Sequence, residues 1–363
     1  MKVGILTHYD VNNQGAQLQM TAMAKKLESM GHEVRILTYK KNFDYNGDEE
    51  LRNQVSLRSV PYYIKHYLLE KGLPLTWFNT RKVLKNRRAR RRFTYAPYDS
   101  SGCDAVIIGS DEVFSVDVGC NRMMYGHGIG VPAIAYAPSF GMTNVDVLNE
   151  RGCFDDVQGG LRSMYRLSAR DAHTKEMIRI LTGRDVPMVC DPVLLYEGEY
   201  TSPKRQIKRP YMLIYAYDSN MTAAHEAEAI KAYAKKHGLM TISAGTYHKW
   251  CDKNIACNAE EWYGYFKNAA CVVTDTFHGT IASVCSNSNV AVFVRTKLNL
   301  NKLTSLLLEL NMEDRRINEF TEDELERILS AKIDYAAVNE KRSAMAKAGE
   351  NYLKWALEGI NEE

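Results

Sequence analysis

The chain opens on a βαβ pattern, and that pattern constrains its fold more than any other feature. VGILT is a short apolar run of strand length. AQLQMTAMAKKLESMG follows, with Met20, Met23, Leu27 and Met30 at helical spacing and Gly31 as a helix stop. HEVRILTY is the next strand. Two strands joined through a helix lie parallel in one sheet, with helices covering its faces.

The alternation continues. CDAVIIGSD and VPAIAYAPSFG read as buried strands running into turns. RLSARD ends a short strand before the helix DAHTKEMIRILTG, and VPMVCDPVLL reads as strand plus loop. Between the second and third strands, PYYIKHYLLEKG and RKVLKNRRARRRF are helix candidates, the latter with eight basic residues in thirteen. Near residue 200 the texture breaks. TSPKRQIKRP holds two prolines, four basic residues and little that builds a core, which marks a linker. The alternation then restarts with YMLIYAY, TAAHEAEAIKAYAKKHG, LMTISAG, AEEWYGYFKNA, CVVTD, TIASVCSN and VAVFV. Helices close the chain, the last from about Tyr335 to Leu357. The expectation is two α/β domains, residues 1–200 and 201–332, with a C-terminal helix, 333–363, packing back on the first. A length of 363 residues suits two domains of roughly 100–200 residues each.

Composition excludes several classes. An apolar share of 45% and a charged share of 25% are those of a globular protein, not of a disordered chain or coiled coil. The net charge of +3, from 47 basic and 44 acidic residues, gives no bulk reason to bind nucleic acid. It leaves room for a local basic patch that recruits a small anion. MKVGILTHYD lacks the long apolar core of a secretion signal, and no run reaches membrane-spanning length. The expected place is the cytoplasm, with a membrane surface open as a place of work. Eight cysteines without a CxxC read as buried free thiols, and no metal set is evident.

In an open parallel sheet, ligands bind beyond the carboxyl ends of strands. Four polar strand exits qualify. TDTFHGT is the most informative. His278 stands between a buried strand and a helix, where it can act as acid or base. Gly279 allows close backbone approach, Thr276 and Thr280 flank it, and amides opening the next helix suit an anion. The bland alternative is a histidine that caps the helix or bonds a loop carbonyl. In SARD, Ser168 precedes Arg170, whose fork fits carboxylate or phosphate, or else a salt bridge to Asp171. In GSDEVF, Gly109 makes a tight turn and Ser110 or Asp111 caps a helix, unless Asp111 orients a hydroxyl or a histidine. In NNQGAQ, the residues Asn13, Gly15 and Gln17 form a polar turn into the first helix. The basic run Arg81–Arg92 reads as a solvated helix face, as a contact for anionic lipid, or, with no accompanying motif, as a nucleic-acid contact.

Absent motifs narrow the field. There is no GxGxxG, GxxxxGK[ST], GxSxG, HExxH or D-x-D. Dinucleotide and P-loop readings lack their phosphate loop, and a metal-held sugar nucleotide lacks its carboxylate pair.

Taken in order, NNQGAQLQMTAMAKKLESMG, CDAVIIGSDEVF, SARD, CDPVLL and CVVTDTFHGT resemble the polysaccharide pyruvyl transferase family. The segments VAVFVRTKLN and LLLELNMEDR resemble that family's end, so the likeness runs from about Lys2 to Arg315. Two places depart from its pattern, Gln14 inside the first loop and Glu112-Val113-Phe114 after GSD, and both bear on the acceptor. The resemblance implies a fold similar to GT-B glycosyltransferases, with two Rossmann-like domains facing a cleft, acceptor on the N-terminal side and donor on the C-terminal side. It implies phosphoenolpyruvate as donor, a saccharide diol as acceptor, lipid-linked or free, a pyruvate ketal as product, and no further cofactor. On that reading Arg170, Arg295 and Lys297 grip the donor, His278 is the general acid, and Asp111 takes a hydroxyl proton or steadies a cationic centre. Two other readings remain open: a metal-independent glycosyltransferase using a nucleotide sugar, and a non-catalytic subunit in polysaccharide assembly.

Overall fold

The computed structural model describes residues 1–39, 61, 65, 72–98, 102–118, 121–200, 207–295 and 297–360, with backbone alone at 297–301. The helix expected at 61–72, the linker core at 201–206 and Cys120 fall largely or wholly outside the described residues.

Two parallel sheets organise the chain. The first is built from β1 (Lys2–Leu6), β2 (Glu33–Thr38), β3 (Tyr95–Pro97), β4 (Ala105–Ile108) and β5 (Ala133–Ala135), in the order β3-β2-β1-β4-β5. The second is built from β6 (Tyr211–Tyr215), β7 (Met240–Ala244), β8 (Lys253–Ile255), β9 (Cys271–Thr274), β10 (Val290–Phe293) and β11 (Arg316–Ile317). Its order, β8-β7-β6-β9-β10-β11, repeats the same winding. Both sheets reverse direction of growth between their first and fourth strands, which is where Rossmann-like sheets open a crevice. The strands are short and Val/Ile-rich because helices cover both faces. AVII of β4 and CVVT of β9 are wholly buried.

The sequence expectation for SARD and VPMVC needs correction. Neither is a strand. They add only single parallel bridges, Ile134 to Arg166 and Ala169 to Met188, at the margin of the first sheet. CDP then opens a one-turn helix, Pro192–Leu195.

One apolar core crosses from sheet to sheet. It joins Val3, Ile5 and Ile107 to Leu213, Val272 and Val292 through the helix Gln14–Ser29. That helix is buried on nearly all sides, at Gln14, Gln17 and Gln19 as well as at Leu18, Met20, Met23 and Leu27. The last helix, Tyr335–Glu358, returns to the first domain. Its Tyr352 hydroxyl donates to the Ala135 carbonyl at 2.9 Å, and its Lys26–Glu350 ion pair holds the first helix at 2.9 Å. Seven described cysteines are free thiols, six of them buried.

Candidate active site

The crevices of the two sheets face each other, and four exits meet there, three from strands and one from the bridged segment around Ala169. The first is the loop after β1. Asn13 caps the helix Gln14–Ser29, its Oδ1 accepting from the amides of Gly15 and Ala16 at 2.9 and 3.2 Å. Only a glycine fits at position 15, because a Cβ would overlap the imidazole of His278. The N-terminal loop therefore touches His278 of the other domain directly. Gln17 is buried and donates to the Tyr9 carbonyl at 2.6 Å, so it shapes this loop rather than lining the cleft.

The second exit follows β4. Gly109 has φ +122°, and a Cβ there would overlap the Tyr136 carbonyl, so the turn needs glycine. The Gly109–Ser110 peptide is cis, and Asp111 has φ +75°. No helix follows directly, so Ser110 and Asp111 cap nothing. Gln19 Oε1 accepts from the Ser110 amide at 3.2 Å, and Ser110 Oγ donates to Asp191 Oδ2 at 3.3 Å.

The third exit carries Arg170. Its partners are not Asp171, which caps the helix Ala172–Thr182. Arg170 Nη1 lies 3.7 Å from Asp111 Oδ1 and 3.5 Å from Asp191 Oδ2, and its guanidinium stacks on Phe277 at 4.9 Å. Ser168 does not reach the cleft. Its Oγ is buried between the Ala135 carbonyl and the Ala137 amide and braces the backbone there.

The fourth exit follows β9. Thr276 caps the helix Phe277–Cys285, which begins three residues earlier than the sequence expectation at Thr280. Thr280 is buried and back-bonds to the Thr276 carbonyl at 3.0 Å. Gly279 packs on the hydroxyls of Thr274 and Thr276, where a Cβ would overlap them. With Thr276 as cap, His278 is released for other work. Its Nε2 lies 3.5 Å from Asp191 Oδ2, too long for a formed hydrogen bond, and Nε2 has no aligned partner among the described residues.

Asp191 is the hub, and sequence reasoning passed over it although it lies in CDPVLL. Its Oδ1 caps the helix Pro192–Leu195 at the Val193 amide, 3.0 Å away, while Oδ2 faces Ser110, Arg170 and His278. Asp-Pro is a recognisable cap followed by a first-turn proline. That signal foretells the local cap, not the three tertiary partners.

Exposure sorts the four charged groups. Side-chain exposure is 0% for Asp191, 5% for Arg170, 12% for His278 and 21% for Asp111. Burial opposes the charge on His278, yet Asp191 and Asp111 outweigh it and raise the imidazole pKa above its ordinary value. Burial likewise opposes the Asp191 carboxylate, but His278 and Arg170 hold its pKa below the usual range. Asp111 is lowered in the same sense, with His8 adding to His278 and Arg170. The cluster thus favours the protonated form of His278 and the ionised forms of Asp191 and Asp111, beside a buried arginine. Such an arrangement can offer a proton from His278 beside a carboxylate, Asp111, with solvent access.

Arg295 stands apart. Its Nε donates to Asp275 at 2.6 Å and its Nη atoms to Glu226 at 2.7 and 3.1 Å, so carboxylates of its own domain occupy the fork. Lys297 opens the helix Lys297–Glu309, and its side chain lies outside the described residues. The cation the structure does bring to this side is Lys302, paired across the cleft with Glu112. Arg170, Phe277 and Lys302 line a cavity of about 250 Å³ behind the cluster, closed by Met188, Leu306 and Met345.

The basic run Arg81–Arg92 is not uniformly solvated. Lys82 is buried and bonds the Gly245 carbonyl at 3.1 Å, Arg90 pairs with Asp10, Lys85 with Glu261 and Arg92 with Glu260. Much of the run fastens the first domain to the second. No helix among the described residues is long and apolar enough to cross a membrane.

Comparison with known proteins extends these observations. Two solved structures of UGT89C1 from Arabidopsis thaliana resemble the chain along its length. The complex with UDP has 12% identity and a TM-score of 0.52, covering 98% of this chain and 99% of that one. The complex with UDP-L-rhamnose has 11% identity and a TM-score of 0.52, covering 99% and 98%. At such identity the likeness shows the fold, which is that of GT-B glycosyltransferases. No curated protein matches the chain. The family model described as polysaccharide pyruvyl transferase matches residues 13–295, a span that contains Asp111, Arg170, Asp191 and His278. The chain therefore belongs to the polysaccharide pyruvyl transferase family, transferases that move a pyruvyl group from a small-molecule donor to a saccharide.

Proposed function

We propose that the protein transfers a pyruvyl group from phosphoenolpyruvate to two hydroxyls of a saccharide, forming a ketal and releasing phosphate. The observation that carries this reading is the His278–Asp191–Arg170–Asp111 cluster at the junction of both crevices. His278 protonates the enol methylene, turning CH2 into CH3 and leaving C2 oxocarbenium-like. A saccharide hydroxyl bonds to C2 and passes its proton to Asp111, the carboxylate with solvent access. The second hydroxyl then bonds to C2 as the C2–O bond to phosphate breaks, and its proton returns to the histidine. One proton enters and two leave the hydroxyls, one of which goes out with phosphate.

The residues suit each demand. Arg170 offers a planar fork to a carboxylate or phosphate, and Lys302 and the amides opening the helix Phe277–Cys285 add positive potential. Asp191, with no access to solvent, lies 3.5 Å from His278 Nε2 and favours its charged form. The reading sets the reaction in the cytoplasm, where free thiols such as these persist.

A thermal-shift panel tests it. Phosphoenolpyruvate at millimolar concentration is expected to raise the melting temperature, and saccharide-dependent phosphate release to vanish in His278→Ala. Stabilisation by a nucleotide sugar but not by phosphoenolpyruvate would sink the proposal in favour of glycosyl transfer.

A further inference from the structure

At the domain seam lies a second cavity, of about 780 Å³, lined by both domains. Its wall is the helix Gly72–Arg90, where Arg81, Lys85 and Arg88 recur every three to four residues on one face, with Arg92 in the turn beyond. Lys253 faces them from β8. Five cations meet two carboxylates, Glu260 and Glu261. Those two are engaged by Arg92 and Lys85 respectively. Arg81, Arg88 and Lys253 are exposed and form no ion pair among the described residues. Beside the cations lie Ile207, Ile255 and Tyr265.

Among the described residues the cations of this surface outnumber its carboxylates, a surplus that suits an anion. From Arg81 to Arg88 the helix rises roughly 10 Å, longer than one phosphate and matched to two in a row. The apolar residues supply a place for whatever the phosphates carry. A relay of contacts links the cavity to the His278 cluster. Ala256 and Asn258 of its wall flank Cys257, whose carbonyl accepts from Gln14. Gln14 in turn accepts from Asn86 of the cationic helix at 3.3 Å and neighbours Gly15, which touches His278.

We infer that this groove binds the diphosphate through which the saccharide acceptor is carried. The diphosphate site stands on its own observations; that it carries the acceptor rests on the pyruvyl-transfer reading. The diphosphate can belong to a polyprenyl lipid or to a nucleotide, and both present the same anion to the groove.

Titration calorimetry on the intact protein with inorganic diphosphate tests the site. The double variant Arg81→Ala/Arg88→Ala, altered at two exposed positions, is expected to bind diphosphate at least tenfold more weakly. Lys235→Ala, on an exposed helix face elsewhere, is expected to bind as the unaltered protein does. Equal affinity in the double variant, or an equal loss in Lys235→Ala, overturns the site. Farnesyl diphosphate and UDP then compete for it. Displacement at lower concentration by the first assigns a lipid carrier, by the second a nucleotide carrier, and displacement by neither overturns the carried diphosphate. Phosphoenolpyruvate stabilisation of the double variant is expected to be unchanged. Diphosphate binding without any response to phosphoenolpyruvate would remove the pyruvyl reading and leave the groove; the reverse would remove the groove alone.

Discussion

The backbone of Gly15 lies directly against the imidazole of His278, so close that no other residue fits at position 15 without displacing the ring. One residue opens the first helix of the N-terminal sheet and the other sits in the first turn of a helix after β9. Their contact sets how tightly the cleft closes over the histidine.

Replacing Gly15 with alanine therefore tests the closure. The overlap falls on Cβ and Cγ of His278, near the backbone, where the ring cannot swing clear cheaply. Overpacking of this kind typically costs about 1–3 kcal/mol. Gly15→Ala is expected to lose at least tenfold in phosphate release from phosphoenolpyruvate while denaturant unfolding reports a loss within that range. Full activity would show that the contact is dispensable.

The pH response follows from Asp191. Its carboxylate raises the His278 pKa, so the proton-donating form persists above the ordinary value of 6.5. Activity is expected to fall as pH rises through the raised value. In Asp191→Asn that falling limb should move to lower pH, because the main influence holding the proton is gone. The matching stability term is present below pH 6.5 and disappears as pH climbs through the folded value, which a series of melting curves reads. A limb that stays in place would separate His278 from the proton donor.

Arg170→Lys keeps the charge and removes the fork. Lysine cannot pair bidentately or stack on Phe277 as a plane does. Apparent affinity for phosphoenolpyruvate is expected to drop by roughly tenfold or more, measured as KM. An unchanged KM would confine Arg170 to pairing with Asp111 and Asp191.

Arg295→Leu distinguishes a structural fork from a donor fork. The change leaves Glu226 and Asp275, both buried, without their cation. Breaking such a pair costs about 3–5 kcal/mol, and Arg295→Leu should unfold at correspondingly lower denaturant. Adding Asp275→Asn should restore part of the loss. A fall in donor affinity with stability intact would instead return Arg295 to the donor site.

Strand exits were the legible part of this site. VGILT, DAVII and ACVV are buried runs whose following polar residues have to emerge at one sheet edge, and Asn13, Gly109, Asp111 and His278 all do so. Asp191 was hidden because its local signature, an aspartate before a proline, is fully explained by capping. Its contacts with Ser110, Arg170 and His278 span separations that no periodicity encodes. Ser168, Gln17 and Thr280 misled for the converse reason. A hydroxyl or amide beside a motif looks reactive in sequence, yet buried backbone groups claim it first. The basic helix was visible as a run of charge, but which of its cations face the second domain depends on docking.

The last helix has a mechanical consequence. Near its start, the Tyr335 hydroxyl donates to the Ser288 carbonyl in the second domain. Near its end, Tyr352 is bonded to Ala135 in the first. At about 1.5 Å per residue, these anchors stay roughly 25 Å apart for as long as the helix remains intact. The helix acts as a connecting rod. Sliding of one half past the other along this axis would break one anchor or the other.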